Sequence, residues 1–406
     1  MSIRRPSKVL HVLNGASGGA AMSTLGLIAS LERLGVKSCA VCHAAGSPAE
    51  RKRLSDAVRG EVVFTPLYWW NQKIRHSLLL RPLVEMRQIL RTGWTRRSTW
   101  EVRRAARRWG AELIHSNTIV TPEGGLAAGQ LGLPHVWHVR ELVGPGKPYR
   151  FWREGRAFGD YVSRHASKLI ANSNVTGGLI ADWLPPGVLD VVPNGIDISQ
   201  FVPATPEARA ARPKLVVAMV AGLTARWKKH AVFVKAALRV DPSLPVEFRI
   251  YGQDPSEGGT RPGGAYIDDL HVLIAKANAK HRFTWPGYVA DPRKVMADVD
   301  ILVHSADHES FGRVIVEAMA AGLPVVGVNG GGVAEIVVHG KTGLLVPPDD
   351  FAAMAVAIEQ LARDPARRAA LGAAGRLRAE DTYSLDACAR GVLSVYEAAM
   401  AQPVRP

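Results

Sequence analysis

The sequence predicts an α/β protein of two Rossmann-like domains, each with a parallel sheet. Three observations carry this expectation. Short apolar runs of strand length recur along the chain, and several lead through glycine into helical spacing, the alternation that parallel sheets require. The 406 residues, 47% apolar and with 39 glycines, are enough for two domains and a large core. The charge also divides mid-chain: residues 1–200 carry 27 Lys and Arg against 14 Asp and Glu, whereas residues 201–406 carry 24 against 22. The formal net charge of +15 thus belongs to the first half and describes that half's partner.

Taken in order, Lys8–Leu13 reads as a strand, and the glycine-rich residues 14–21 turn into a helix over residues 22–34. Leu25, Ile28, Leu31 and Leu34 recur there at steps of three, and Gly35 stops the helix. The turn lacks the G-x-G-x-x-G spacing and no acid ends the next strand, so a hydride-transfer dinucleotide site is not indicated. Residues 39–43 match the haem-attachment pattern C-x-x-C-H. Strand alternation over residues 36–43 turns Cys39 and Cys42 to opposite faces, which argues for two small strand residues instead. Three cysteines leave no disulfide framework.

Residues 68–109 combine eleven Lys and Arg with only Glu85 and Glu101, and interleave Tyr68, Trp69, Trp70, Trp94, Trp100 and Trp109. Two readings stand side by side. One is a set of helices with solvated basic faces. The other is an amphipathic surface that sits on anionic lipid or grips an anionic acceptor. Nucleic acid is not expected, because no recognition motif accompanies the charge.

Further strands end at Asn117 and at Glu141, with His138 near the second end. Residues 168–173 and 191–197 close the first domain, expected to span 1–200, and residues 203–213 read as a linker. The second domain, 211–384, opens with the strand at 215–222, and residues 385–400 form a last helix expected to cross back onto the first domain. No run approaches the roughly 18–20 apolar residues that span a bilayer, and residues 9–13 are too short for a signal core. A cytoplasmic protein is expected, with peripheral contact at the inner face of the membrane if the basic stretch binds lipid.

Residues 300–347 concentrate the chemistry. A strand at 301–303 leads through His308, Glu309 and Ser310 into a helix starting at Ser310 or Phe311, and a second strand leads into Gly330, Gly331 and Gly332. Helix starts favour a bound anion, and glycine at 312 and 330–332 permits close approach of a ligand. Glu309 and Glu317, eight residues apart, suit a ligand with several hydroxyls. Anion plus polyol describes a sugar nucleotide.

These residues resemble a known family. Glu309 through Glu317 matches the E-x7-E motif of retaining glycosyltransferases of the GT-B fold, family 4, and the following GLPVV, GGG and G-x-T-G segments continue the pattern. The resemblance runs from Lys8 to about Asp381. It implies two domains facing a cleft, the second holding a UDP- or GDP-sugar and the first an acceptor. By resemblance, Glu309 contacts the transferred sugar and Glu317 the ribose; Lys228 grips the diphosphate, His138 sits by the donor sugar, and Gly18 and Gly19 approach the diphosphate. Ser310, Phe311, Gly312 and Arg313 fall inside the motif as donor-binding residues. The family's diphosphate arginine is replaced by Leu223, and Arg226 is the candidate substitute. No Asp-x-Asp has metal-site surroundings, so no metal or other cofactor is expected. The implied reaction is transfer with retention to a hydroxyl of a lipid-linked or lipopolysaccharide-type glycan of the cell envelope. Transfer to a soluble anionic acceptor such as a sugar phosphate, and a nucleotide-sugar epimerase of the same fold, remain alternatives.

Overall fold

The computed structural model describes residues 4–402 except 17, 74–80, 145, 146, 148, 152, 154, 224 and 254–263; at 71–73, 81–93, 149, 150, 206, 210, 264 and 265 it describes backbone only. The chain forms two compact units, Met1–Gly195 with Leu385–Pro406, and Ile196–Ser384.

The first unit is built on strands β1 (Lys8–Leu13), β2 (Lys37–His43), β3 (Val62–Thr65), β5 (Leu113–Ser116), β6 (His135–Val139), β8 (Lys168–Ala171) and β9 (Leu189–Val191). They form one parallel sheet in the order β3-β2-β1-β5-β6-β8-β9. Strands β4 (Asn71–Lys73) and β7 (Tyr149–Phe151) pair antiparallel apart from it. The central strands β1, β5 and β6 are buried almost from end to end, their histidines included, because helices cover both faces. Cys39 packs among Val102, Ala105 and Ala106 on one face and Cys42 beside Ile28 and Leu54 on the other, both as free thiols.

The first helix spans Gly18–Arg33, earlier than the sequence suggested, because Gly18 takes the positive φ of 83° that starts it. The last helix, Leu385–Met400, packs on it: Val392, Val395 and Tyr396 share a core with Val9, Leu27, Leu113 and Ile170. A Cβ on Gly26 would lie 2.6 Å from Leu385 Cδ2, so glycine permits this contact.

The second unit holds β10 (Leu215–Val220), β11 (Val246–Tyr251), β12 (Phe283–Gly287), β13 (Ile301–His304), β14 (Val325–Val328) and β15 (Gly343–Val346). All pairs are parallel, in the order β12-β11-β10-β13-β14-β15. The expected linker at 203–213 is instead a strap on this unit. Thr205 caps a short helix, Pro206–Ala210, and Arg212 donates to Asp300 Oδ1 at 2.9 Å. Arginine donors that find acceptors turn a sequence that reads as flexible into packed structure.

Candidate functional site

In the second unit the strand order reverses between β10 and β13, and doubly wound sheets bind ligands outside the carboxyl ends of strands at such a point. After β10 the chain makes one 3-10 turn, Arg226–Lys228, and passes through Lys229 in the left-handed region (φ 57°) into helix His230–Arg239. After β13 a loop carries Glu309 toward helix Arg313–Ala320. Side chains from the two segments meet. Lys228 Nζ donates to Glu309 Oε2, and His304 Nε2 lies 3.3 Å from the same oxygen. Burial opposes charge on Glu309, but the adjacent His304 ring and the Lys228 ammonium outweigh it and hold the carboxyl at about 2. Glu309 is therefore a carboxylate at neutral pH.

This meeting is supported from behind. The Ser305 hydroxyl lies 3.0 Å from the carbonyl oxygens of both Lys228 and Lys229. Lys229 Nζ is 2.8 Å from Asp307 Oδ2 and from Asp349 Oδ2. Glu317, one turn into its helix, is buried and accepts from Arg313 Nε at 2.7 Å. Burial raises its pKa against the pull of Arg313. The unit thus sets a partly buried cation beside one ionised carboxylate and places a second carboxylate along the next helix, a set suited to a ligand bearing hydroxyls and an anionic group.

Several expected residues take different places. The helix begins at Arg313, not at Ser310 or Phe311, because Gly312 breaks the turn with φ 98° and caps it without a side-chain bond. Ser310 is partly exposed in the loop, while the Phe311 ring is buried against Tyr383, which leaves only its backbone for a ligand. Leu223 is buried in the apolar core. The Arg226 guanidinium lies over the Tyr266 ring, 5.2 Å from its centroid. Gly331 and Gly332 do not open the backbone to a ligand. A Cβ on Gly331 would lie 2.6 Å from Glu309 O, and Gly332 N donates to Glu309 O at 2.8 Å. The glycines let the two loops pack on each other, and the helix behind them, Val333–Ile336, is only four residues long.

In the first unit, Gly18 and Gly19 are exposed, and a Cβ on either meets nothing within 4 Å. His138 is fully buried near the end of β6, and burial followed by the Arg140 charge drives its pKa well down. Its ring stacks on His115 at 5.5 Å, and His115 in turn lies 5.4 Å from His11. Tyr396 of the last helix reaches His115 Nδ1 at 2.7 Å. Arg140 donates through Nε to Asn117 O at 3.1 Å and through Nη1 to Asn194 Oδ1. His304, Ser305, Lys229, Asp307 and Arg140 went unremarked in the sequence; the Lys228-Lys229 pair and the Asp307-His308 pair beside Glu309 were the available signals.

The basic stretch resolves into helix Arg81–Trp109, with side chains described from Trp94 onward. The aromatic set expected at this surface divides between core, partly buried and exposed positions. Trp70 is buried among Trp137, Phe151, Phe158 and Tyr161, with Nε1 donating to Ile119 O at 2.6 Å. Trp69 packs against the same cluster, and Trp109 lies over Gly60. Trp94 and Trp100 stay exposed, at 62% and 45%. Arg103, Arg104, Arg107 and Arg108 line a hollow of about 370 Å³ with Trp100. Among the described residues no helix is long and apolar enough to cross a membrane.

Comparison with known proteins gives one consistent answer. The profile of "Glycosyl transferases group 1" matches residues 204–378, and that of "Glycosyltransferase Family 4" matches residues 17–200. The chain is 31% identical over 314 residues to D-inositol 3-phosphate glycosyltransferase of Arthrobacter sp., covering 72% of this chain and 71% of the relative. It is 28% identical over 316 residues to alpha-maltose-1-phosphate synthase of Mycolicibacterium smegmatis, covering 70% and 79%. In fold it is similar to Anabaena HepE, solved in complex with UDP, with a TM-score of 0.75, 23% identity, and coverage of 96% of this chain and 99% of that one.

Proposed function

The chain belongs to the group 1 glycosyl transferases, enzymes that draw on nucleotide-sugar donors, and on that premise we propose that it transfers a hexosyl group, with retention at the anomeric carbon, to a hydroxyl of a phosphate-bearing acceptor. The observation that carries the reading is the meeting of Lys228 with the buried Glu309 and His304 at the strand switch of the second unit. In this reading Glu309 accepts hydrogen bonds from the sugar hydroxyls and Glu317 from the ribose, with Arg313 orienting Glu317. Lys228 serves the diphosphate, aided by backbone N–H groups from Ser310 to Gly312 and, from the first unit, by Gly18 and Gly19. His138 contacts the sugar, and Arg226 is the candidate second cation for the diphosphate. Charge builds on the leaving phosphate oxygen as the glycosidic bond breaks, and an ammonium beside it is worth several kcal/mol. The acceptor oxygen bonds to the anomeric carbon on the face the phosphate leaves, and its proton passes to that phosphate oxygen. A carboxylate already shared by Lys228 and His304 is a poor nucleophile, which favours this single step over double displacement.

The donor is read as a UDP- or GDP-sugar, with UDP favoured because HepE was solved with UDP. For the acceptor, relatives named for inositol 3-phosphate and maltose 1-phosphate favour a soluble sugar or cyclitol phosphate. A second reading, a lipid-linked envelope glycan met at an anionic membrane, rests on the arginine face with Trp94 and Trp100. Lys228, not a metal ion, is taken to supply the charge at the diphosphate, so turnover is expected to persist in EDTA.

A thermal-shift screen of UDP-, GDP- and ADP-sugars tests the donor, since a ligand at 100 times its Kd stabilises by about 2.7 kcal/mol. The stabilising donor is then incubated with hexose phosphates, inositol phosphate or a polyprenyl-phosphate-linked sugar, and the product's anomeric configuration is read by NMR. An inverted product removes the mechanism. Conversion of the donor to its epimer without acceptor makes the protein an epimerase.

A further inference from the structure

The His138 imidazole has two nitrogens, and its surroundings decide which of them bears the proton. Arg140 Nη2 lies 3.3 Å from His138 Nδ1, both groups buried. A guanidinium has no acceptor and can only donate. Nδ1 must therefore offer its lone pair, and the proton of the neutral ring lies on Nε2. That Nε2 is buried and has no hydrogen-bond partner among the described residues. A buried N–H without an acceptor is costly to fold around and is retained where a ligand supplies the acceptor. The guanidinium is itself fixed, because its other nitrogens bond Asn117 O on the loop after β5 and Asn194 Oδ1 after β9. Arg140 thus ties the carboxyl ends of three strands together while it holds the ring.

We propose that Arg140 is a positioning residue that locks His138 in the Nε2–H form, so that the ring presents a hydrogen-bond donor to an oxygen of the sugar being transferred. The proposal rests on the reading above that His138 contacts the donor sugar. It adds which atom makes the contact, in which direction the hydrogen bond runs, and which residue enforces it. The sugar oxygen must accept from His138, so its own proton is directed elsewhere. The ring therefore selects for an acceptor oxygen at that position and acts as neither general base nor proton source.

Two measurements test this separately. The first uses ligand-free protein carrying 15N-labelled histidine, with the His138 signals identified by their loss in His138→Gln. We expect a protonated Nε2 and a bare Nδ1 at neutral pH, and a mixture of tautomers in Arg140→Met. A proton on Nδ1 in the wild type overturns the proposal, as does an unchanged tautomer in Arg140→Met. If that variant does not fold, Arg140→Lys serves, and the wild-type spectrum decides the proton position by itself. The second measurement compares His138→Gln with His138→Asn in sugar transfer. The amide nitrogen of Gln overlays Nε2 and that of Asn overlays Nδ1, so the Gln variant should keep about tenfold more kcat, with KM little changed. Equal activity of the two variants removes the catalytic role while leaving the tautomer assignment in place, which separates failure of the sugar-contact reading from failure of the Arg140 inference.

Discussion

His304 Nε2 and Glu309 Oε2 lie 3.3 Å apart at the end of β13, and Lys228 reaches the same carboxylate oxygen from the turn after β10. Glu309 is thereby held at about 2, below its ordinary value of 4.5. A carboxylate with a depressed pKa stabilises the fold above its unfolded pKa, and that contribution is lost as pH falls through the folded value. For Glu309 the window is about pH 5 to 2 and the contribution about 3 kcal/mol. Glu309→Gln should be less stable than wild type at pH 7, with the difference shrinking toward pH 2 in chemical denaturation. A constant difference across that range contradicts the ion-pair account.

The two carboxylates should separate in nucleotide binding. Loss of a charge-assisted hydrogen bond costs about 1.5–3 kcal/mol, so Glu317→Gln should weaken nucleoside diphosphate binding by roughly 10- to 100-fold in calorimetry. Glu309→Gln should leave that affinity nearly intact while transfer falls. Equal weakening by both substitutions would remove the division into a sugar and a ribose carboxylate.

Lys229 holds a left-handed backbone and two aspartates at once. Lys229→Ala keeps the strain and loses the ion pairs, whereas Lys229→Gly loses the pairs and relieves the strain, worth about 1–2 kcal/mol. The Gly variant should therefore be the more stable of the two. Both should lower kcat, because the turn that aims Lys228 loses its anchor. If Ala and Gly melt together, the strain account fails.

The arginine face is tested with vesicles. Each cation near an anionic surface contributes about 1 kcal/mol and acts within a Debye length of about 8 Å at physiological salt. Cosedimentation with vesicles containing anionic lipid should be salt-sensitive and largely lost in the combined variant Arg96→Gln, Arg97→Gln, Arg103→Gln, Arg104→Gln. Trp94→Ser with Trp100→Ser should weaken it further. Trp70→Ala should instead destabilise the fold by about 3–5 kcal/mol. Wild-type protein that stays in solution at low salt removes the membrane reading of the acceptor in favour of the soluble phosphate.

The strand and helix order of residues 300–347 was legible because each element there is short, apolar and bounded by glycine. The loop-on-loop role of Gly331 and Gly332 was not legible. A glycine that admits a ligand and one that admits a neighbouring backbone look identical in one dimension. Trp70 misled for a similar reason: it neighbours a run of arginines in sequence, yet its partners, Trp137 and Phe158, come from more distant segments. The Lys228–Glu309 pair joins residues 81 apart, and the resemblance named both without any spacing rule linking them. His304 and Arg140 act through contacts of a single atom, which composition and periodicity do not encode.

The placement of Leu385–Met400 sets the order in which the molecule can be completed during synthesis. Val9, Leu113 and Ile170 leave the ribosome early, but the residues that cover them, Val392, Val395 and Tyr396, emerge after the whole second unit. At ribosomal speed the interval is on the order of ten to forty seconds. The half of the chain made first is therefore the half finished last, and for that time an open apolar face needs a chaperone or a transient cover. A nascent chain stalled before residue 385 would lack that helix, so its fate falls to quality control rather than to the strength of its own sheet.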